Sequence, residues 1–563
     1  MAMVGTNDTL GVRAIAKGST ATLLVFVLSL LVFGLTASPE VNPYDEGLIL
    51  TGAMQTAAGA VPHRDFYIVY GPGQFYTVAA LFDLFGQNVW IERLYDFAVK
   101  AGVVCFVYAF SSRLMRTPYV YLVTALCVLW IAVARSPAYP IWPTLLLILA
   151  SFWLAHPIFY GDYSRARLAG AGLCAGTAVV FRYDMGLLSL TLISAALIVY
   201  ASTDRRSSRS RLTRIFLTMA PFWGASGAVL VLLAVAYVKY GIVDDFVFQI
   251  LAYPSANYVE ARRLPFPAPS RDLMQNMSSV VYMPPVVILA FLILTVQRYL
   301  HRRFVLTETD TAELYLSCLI ASLAFGLYFK GLVRVSIPHM ISSIVPSVII
   351  LGQVIDRFLS RQSWSARAVG CAPVIAALIL TIVPSLPAAR LVQWYARINL
   401  ADAVKAARSR ISKDHATGGG DERCDRRNNL ERARCLRMSA SRLRAIRFVI
   451  NNTTPDQPII VLNGTNDKTV ANDASLYFLA GRLPATKWGE FDPGLQSSEE
   501  IQSKMVGELE AIKPPLVIQD SEWDDVNEPN GSARHSGVTL LDDYIHQHYK
   551  QVAEFEPYVI LQR

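Results

Sequence analysis

The sequence predicts a polytopic α-helical membrane protein of about eleven transmembrane helices, followed by a small extracytoplasmic α/β domain. Three observations carry this. Eleven apolar segments run from Ser19 to about Pro387, every second loop between them is rich in arginine, and the chain beyond turns polar with short apolar runs. Of 563 residues, 53% are hydrophobic and only 17% charged, against about 25% charged in soluble domains.

The apolar segments fall at 19–38, 92–112, 118–134, 141–158, 168–181, 185–201, 215–237, 279–297, 313–329, 338–355 and 368–387. Most approach the roughly 20 residues that cross a hydrocarbon core. The run 168–181 is short, and Arg182-Tyr183-Asp184 divides it from the next. The first segment leads into Asp45-Glu46 rather than a small-residue cleavage site, so it reads as a span and not as a cleaved signal. Lys100 lies inside the second span, where it either snorkels or meets a buried acid.

Basic residues gather in alternate loops: Arg13 and Lys17, Arg113 and Arg116, Arg165 and Arg167, Arg205 to Arg214, Arg298 to Arg303, and Arg357 to Arg367. The positive-inside rule puts these loops and the N-terminus in the cytoplasm, and the tail after the last span outside. The net charge of +8 is thus a topology signal, and it argues against nucleic acid as a partner. The expected location is a bacterial inner membrane, among membrane lipids.

The opposite loops hold the unusual residues. The first, 38–91, opens with Asn42-Pro43-Tyr44-Asp45-Glu46-Gly47. Two readings of this acidic motif stand. Asn42 caps a helix with the acids in its first turn, which is favourable beside the helix dipole; or Asp45, rather than its neighbour Glu46, is a general base near the bilayer surface. The stretch 46–59 is expected to lie at the membrane interface. Next come His63-Arg64-Asp65-Phe66-Tyr67 and Tyr70-Gly71-Pro72-Gly73, the latter a chain-reversal signal. Arg64 and Asp65 form either a local ion pair or, with the faces of Tyr67 and Tyr70, a surface for sugar hydroxyls. The run 74–85 is short for a span and is expected along the surface.

Arg182, Asp184, Lys330, Arg334 and His339 lie on the same side. Cations there run against the positive-inside trend. They suit a lipid-linked phosphate, which arginine contacts in bidentate fashion, and equally lipid headgroups or loop carboxylates; Arg182 and Asp184 are close enough to pair.

Residues 388–447 read as a flexible connection, through Gly418-Gly419-Gly420. Within 448–563, the runs 458–462, 515–519 and 559–561 read as strands, and 474–480 and 498–512 as helices. Cys105, Cys127, Cys174, Cys318 and Cys371 are packing residues in apolar spans, whereas Cys424 and Cys435 stand where a disulfide would persist. No metal-ligand spacing occurs.

The arrangement resembles the integral-membrane glycosyltransferases of the GT-C fold, a group with the protein O-mannosyltransferases, the lipid A aminoarabinose transferases and Rgt-type lipopolysaccharide sugar transferases. Tyr44-Asp45-Glu46-Gly47 after the first span, the run Val61 to Gly73 and the tail segment Tyr477 to Thr486 carry the resemblance over most of the chain. It implies inverting transfer of a sugar from a polyprenyl-phosphate carrier to an envelope lipid, glycan or protein on the extracytoplasmic side. Asp45 then matches the catalytic acid and Glu46 its neighbour, while Asp65 matches a second loop acid only loosely. No cofactor is obligatory in this reading, and a divalent metal is compatible with it. The rivals are a transporter or lipid-carrier flippase, which would use the same charges as a pathway, and a non-catalytic envelope assembly subunit.

Overall fold

A computed structural model describes residues 7–135, 139–204, 209–268, 276–301, 307–360, 364–413 and 430–563. Each of the eleven apolar runs falls in a helix: α1 (Asn7–Leu35), α4 (Val89–Leu114), α5 (Thr117–Ala134), α6 (Ile141–Ala155), α7 (Arg165–Phe181), α8 (Tyr183–Thr203), α9 (Arg211–Lys239), α12 (Met283–His301), α13 (Glu308–Gly331), α14 (Ile337–Leu359) and α15 (Trp364–Lys413). The chain is a multi-pass membrane protein. Among the described residues, nine helices are long and apolar enough to cross a membrane. The other two runs are short. The apolar part of α1 is Ser19–Leu35, and α7 has 17 residues, about 25 Å of helix. Small residues let α7 pack tightly: a Cβ on Gly172 would stand 2.0 Å from the Phe222 carbonyl oxygen of α9. Helix α14 lies at the centre, with every residue from Met340 to Asp356 buried.

The first loop holds two helices. Helix α2 (Asp45–Ala57) is buried in protein from Glu46 to Thr56, more than the interfacial expectation implies. The C-terminal part of the chain covers it: Thr51 Oγ1 donates to the Ala474 carbonyl at 2.8 Å, and a Cβ on Gly47 would stand 2.4 Å from the Ser475 nitrogen. Only glycine allows that approach. Helix α3 (Gly73–Phe85) is half-buried, with Phe75, Val78 and Phe82 inward and Leu84 and Phe85 exposed.

The long loop after α9 is also largely helical, through α10 (Val243–Val247) and α11 (Val259–Arg262). The stretch 388–447, expected as a flexible connection, is helix in part. α15 carries through Pro384 and Pro387 to Lys413, and a further helix spans Ala440–Asn452. Gly418 to Gly420 and Cys424 lie outside the described residues; Cys435 is disulfide-bonded.

Beyond it a four-stranded sheet forms from β1 (Ile460–Asn463), β2 (Leu516–Asp520), β3 (Lys550–Phe555) and β4 (Tyr558–Gln562), in the order β1-β2-β4-β3. β1 and β2 run parallel with Ile460 opposite Val517, and β4 joins β2 antiparallel with Ile518 opposite Ile560. β3 is the strand sequence reading misses. It is an edge strand, half-exposed or exposed along its length, so it lacks the apolar run that marks a buried strand. Helices Ser475–Ala480 and Glu499–Ile512 match the two helical expectations. Val41, Leu48 and Ile49 share one hydrophobic core with Val461, Phe478 and Ile518, so the acidic motif is held against the sheet region.

Candidate functional site

The acidic motif is a tightly specified turn. Asn42 Oδ1 accepts from the backbone N–H groups of Tyr44 (3.0 Å) and Asp45 (2.7 Å), which fixes the turn ahead of α2; the helix itself starts at Asp45, with Tyr44 rather than Asn42 at its N-cap. Glu46 reaches back to the Asn42 N–H at 2.9 Å. Its carboxylate is then filled by Arg93 of α4, with Nε at 2.7 Å and Nη2 at 3.0 Å. Arg93 also donates to the carbonyls of Ser38 and Glu40. Both side chains are essentially unexposed, at 0% and 2%. Glu46 is therefore turned inward, away from its neighbour, as two successive residues on a helix must be.

Asp45 faces the other way. It is half-buried, and among the described residues its carboxylate has no hydrogen bond or ion pair. Burial raises its pKa above the ordinary carboxylate value, the charges of Arg262 and Arg334 oppose that rise, and Asp492 adds to it. These three residues act on Asp45 electrostatically. Asp492 is almost fully buried and accepts from Tyr44 Oη at 3.1 Å, from Tyr67 Oη at 2.9 Å and from Arg262. Arg262 also donates to Tyr44 Oη at 2.8 Å. Arg334, between α13 and α14, makes a bidentate pair with Glu528 at 2.8 and 2.5 Å and donates to the Arg262 carbonyl at 3.2 Å. Glu490, two residues from Asp492, has its pKa raised chiefly by burial.

A second group adjoins. Arg182, at the α7–α8 junction, bonds Asp184 Oδ1 at 2.9 Å. Its guanidinium lies over the rings of Tyr70 and Tyr139, 5.4 and 5.6 Å from their centroids, and the two phenols meet at 3.1 Å. The Gly71 turn seats Tyr70 there: the Gly71 N–H donates to the Phe181 carbonyl at 3.2 Å, and a Cβ would strike the Val180 oxygen at 2.1 Å. Lys330, in the last turn of α13, acts electrostatically on Arg182 and Asp184. Its Nζ is buried without a hydrogen-bond partner among the described residues, and so is Arg182 Nη1. His339 bonds Ser336 at 2.9 Å and feels the charges of Lys330, Arg334, Arg182 and Arg262 together. The two groups thus meet at His339.

No family model and no curated protein sequence matches the chain. Solved structures do. ArnT from Cupriavidus metallidurans in the apo state aligns over 96% of this chain and 98% of its own, at 14% identity and a TM-score of 0.50. The Archaeoglobus fulgidus oligosaccharyltransferase in the apo form aligns over 89% of this chain and 70% of its own, at 12% identity and a TM-score of 0.52. The chain has the GT-C fold.

On this GT-C scaffold the expected site residues separate into three sets. Asp45, Arg182, Asp184, Lys330, Arg334 and His339 come together. Tyr67, buried, and Tyr70, half-buried, join them as supports, Tyr67 through Asp492 and Tyr70 through Arg182. Arg64 and Asp65 stay apart as a local surface pair at 2.7 Å, 42% and 35% exposed, with Asp65 also accepting the Val61 N–H at 2.7 Å. The Arg64 hydrogen bond lowers the Asp65 pKa.

Sequence reading misses Arg262, Glu490, Asp492 and Glu528. Arg262 lies in an aromatic, basic, proline-rich run and Asp492 precedes Pro493-Gly494, and neither pattern marks a site by itself. Among the described residues, no three of His, Cys, Asp and Glu converge as metal ligands.

Proposed function

We propose that the protein is an inverting glycosyltransferase that moves a sugar from a polyprenyl-phosphate carrier to an envelope lipid, glycan or protein acceptor. The observation that carries the reading is the Asp45 carboxylate, left without a bonding partner among the described residues beside a set of converging cations. A half-buried carboxylate with a raised pKa is a stronger base than an exposed one. In this reading Asp45 takes the proton of the acceptor hydroxyl as that oxygen attacks the anomeric carbon. The bond from that carbon to the phosphate oxygen breaks on the opposite face, and the carrier leaves as its phosphate. Arg262 and Arg334 are already neutralised by Asp492 and Glu528. Lys330, whose Nζ is buried without a hydrogen-bond partner among the described residues, is therefore the better candidate to meet the departing phosphate, with Arg182, itself paired with Asp184, beside it. Glu46 acts as a positioning residue, holding the α2 turn through Arg93. The reaction belongs on the extracytoplasmic face of a bacterial inner membrane, the face opposite the basic loops.

The test is sugar transfer in membranes overexpressing the chain, with a panel of radiolabelled polyprenyl-phosphate sugars. Asp45→Asn should cut transfer by about 10²-fold or more, the usual scale for a general base, and leave membrane insertion intact. Full activity in that variant would remove the central claim. Transporter function is the rival, since α4 buries Glu92, Arg93, Asp96 and Lys100 within a span. Lys100 is, however, held by Asp96 at 2.6 Å. Donor crossing the bilayer without transfer, independent of Asp45, would favour that rival.

A further inference from the structure

The end of the bundle remote from Asp45 holds a second polar cavity. It lies where α7 begins, α8 ends and α9 begins, with a volume of about 280 Å³, and Tyr163, Arg165, Tyr200, Asp204, Arg209 and Arg214 line it. Arg165 and Arg182 stand at opposite ends of α7, so the cavity is about 25 Å from the Arg182 site. Among the described lining residues are three arginines and one carboxylate. Arg214 is held in place by backbone carbonyls: Nε donates to Ala201 at 3.1 Å and Nη1 to Arg209 at 2.7 Å. Two helices also begin here, capped by Ser164 and Ser210, and add their positive dipole ends to the arginine charge.

An apolar groove adjoins the cavity. It runs between α8 and α13, has a volume of about 410 Å³, and is lined by Leu192, Ala196, Val199, Leu314, Cys318 and Leu319 among others. Tyr200 of the cavity and Tyr315 of the groove have ring centroids 6.0 Å apart, and Phe159 packs on both at 5.8 and 5.2 Å. Along α8 the groove extends from Val199 to Leu192, about 10 Å toward the middle of the bilayer. A cationic cup at the helix ends therefore neighbours an apolar groove that runs inward, with the three rings between them. Two compartments in that order match a molecule with a phosphate head and a hydrocarbon tail.

We propose that this cavity and groove bind one anionic phospholipid from the leaflet on the basic side. The head phosphate lies among Arg165, Arg209 and Arg214, and one acyl chain lies between α8 and α13. Charge decides the choice: the groove alone would accept any lipid, whereas the arginines favour a headgroup with net negative charge. The proposal needs only that the chain spans a membrane, and it stands or falls separately from Asp45 chemistry.

The test uses the full chain, stripped of lipid in detergent and titrated with phosphatidylglycerol or phosphatidylcholine, with bound lipid counted by native mass spectrometry. Phosphatidylglycerol should bind about tenfold more tightly, the scale of one charge-assisted contact. Arg209→Gln/Arg214→Gln should erase that preference, and Arg165→Gln alone should reduce it if the double variant fails to fold. Ala196→Trp, which fills the groove and leaves the arginines, should weaken phosphatidylglycerol several-fold. Arg113→Gln, at the same end but outside the cavity, should change nothing. Equal binding of the two lipids would overturn the proposal. So would an equal loss with Arg113→Gln, which would indicate diffuse surface charge, or equal affinity for glycerol phosphate without acyl chains, which would indicate a soluble ligand. Ala196→Trp without effect would remove the groove from it.

Discussion

Replacing Glu46 by glutamine separates the two acids of the first-loop motif. The Glu46–Arg93 pair is closed to solvent on both sides, with two short contacts between the charged groups. Removing one partner of such a pair costs roughly 3–5 kcal/mol, because the remaining charge stays buried and unpaired. Glutamine keeps one oxygen for either the Asn42 N–H or Arg93, and Arg93 retains the Ser38 and Glu40 carbonyls. The loss should therefore lie near the low end, about 3 kcal/mol. Thermal unfolding of the purified chain in detergent should show a clear drop for Glu46→Gln, with residual transfer in the fraction that stays folded. A double variant, Glu46→Gln/Arg93→Met, should recover much of the stability, since it removes the orphaned charge as well. Asp45→Asn should behave oppositely. A raised carboxylate pKa means that the folded state holds its proton more tightly than the unfolded state. Asp45 thus favours folding below its unfolded value, and that contribution is lost as pH rises through the folded value. Amidation near neutral pH should leave stability unchanged or improved. If Glu46→Gln unfolds like the unaltered protein yet transfers no sugar, the positioning role assigned to Glu46 is refuted.

Three further outcomes follow from other parts of the site. Lys330→Met should lower kcat about 10- to 100-fold with little effect on thermal unfolding, since a buried amine without a hydrogen-bond partner among the described residues stabilises charge better than it stabilises the fold; unaltered kcat would remove Lys330 from the phosphate site. His63, buried between Gln249 and Tyr183, has its pKa lowered to about 4 by burial. Stability should therefore fall as pH drops from 6.5 through about 4, by roughly 3 kcal/mol in total, and His63→Gln should flatten that limb of a pH–stability curve. Gly47→Ala should cost about 1–3 kcal/mol, because the new methyl meets the Ser475 backbone; limited proteolysis should then release the C-terminal part of the chain more readily than in the unaltered protein.

How much was legible in advance depended on the range of the interaction concerned. Apolar runs and turn signals are local, so each apolar run falls largely in a helix and the Asn42 turn was readable from a few residues. The edge strand Lys550–Phe555 was not, because its half-solvated residues carry no continuous apolar run. Asp45 and Glu46 are equivalent in a sequence; the helical rotation between neighbours and an arginine 47 positions away decide that one is held and the other left open. Arg64 and Asp65 looked as good a site pair as Arg182 and Asp184, yet only the second pair is enclosed by aromatic rings and a buried lysine.

The sequence by itself determined the apolar helices, the arginine-rich alternate loops and the acidic turn, because each follows from hydropathy, charge and turn chemistry over short stretches. Only the tertiary structure brought Tyr44, Arg262 and Asp492 into one hydrogen-bonded group, across more than 400 residues of chain. Contacts of that range are fixed by how the sheet region packs on the first loop, which no local pattern encodes.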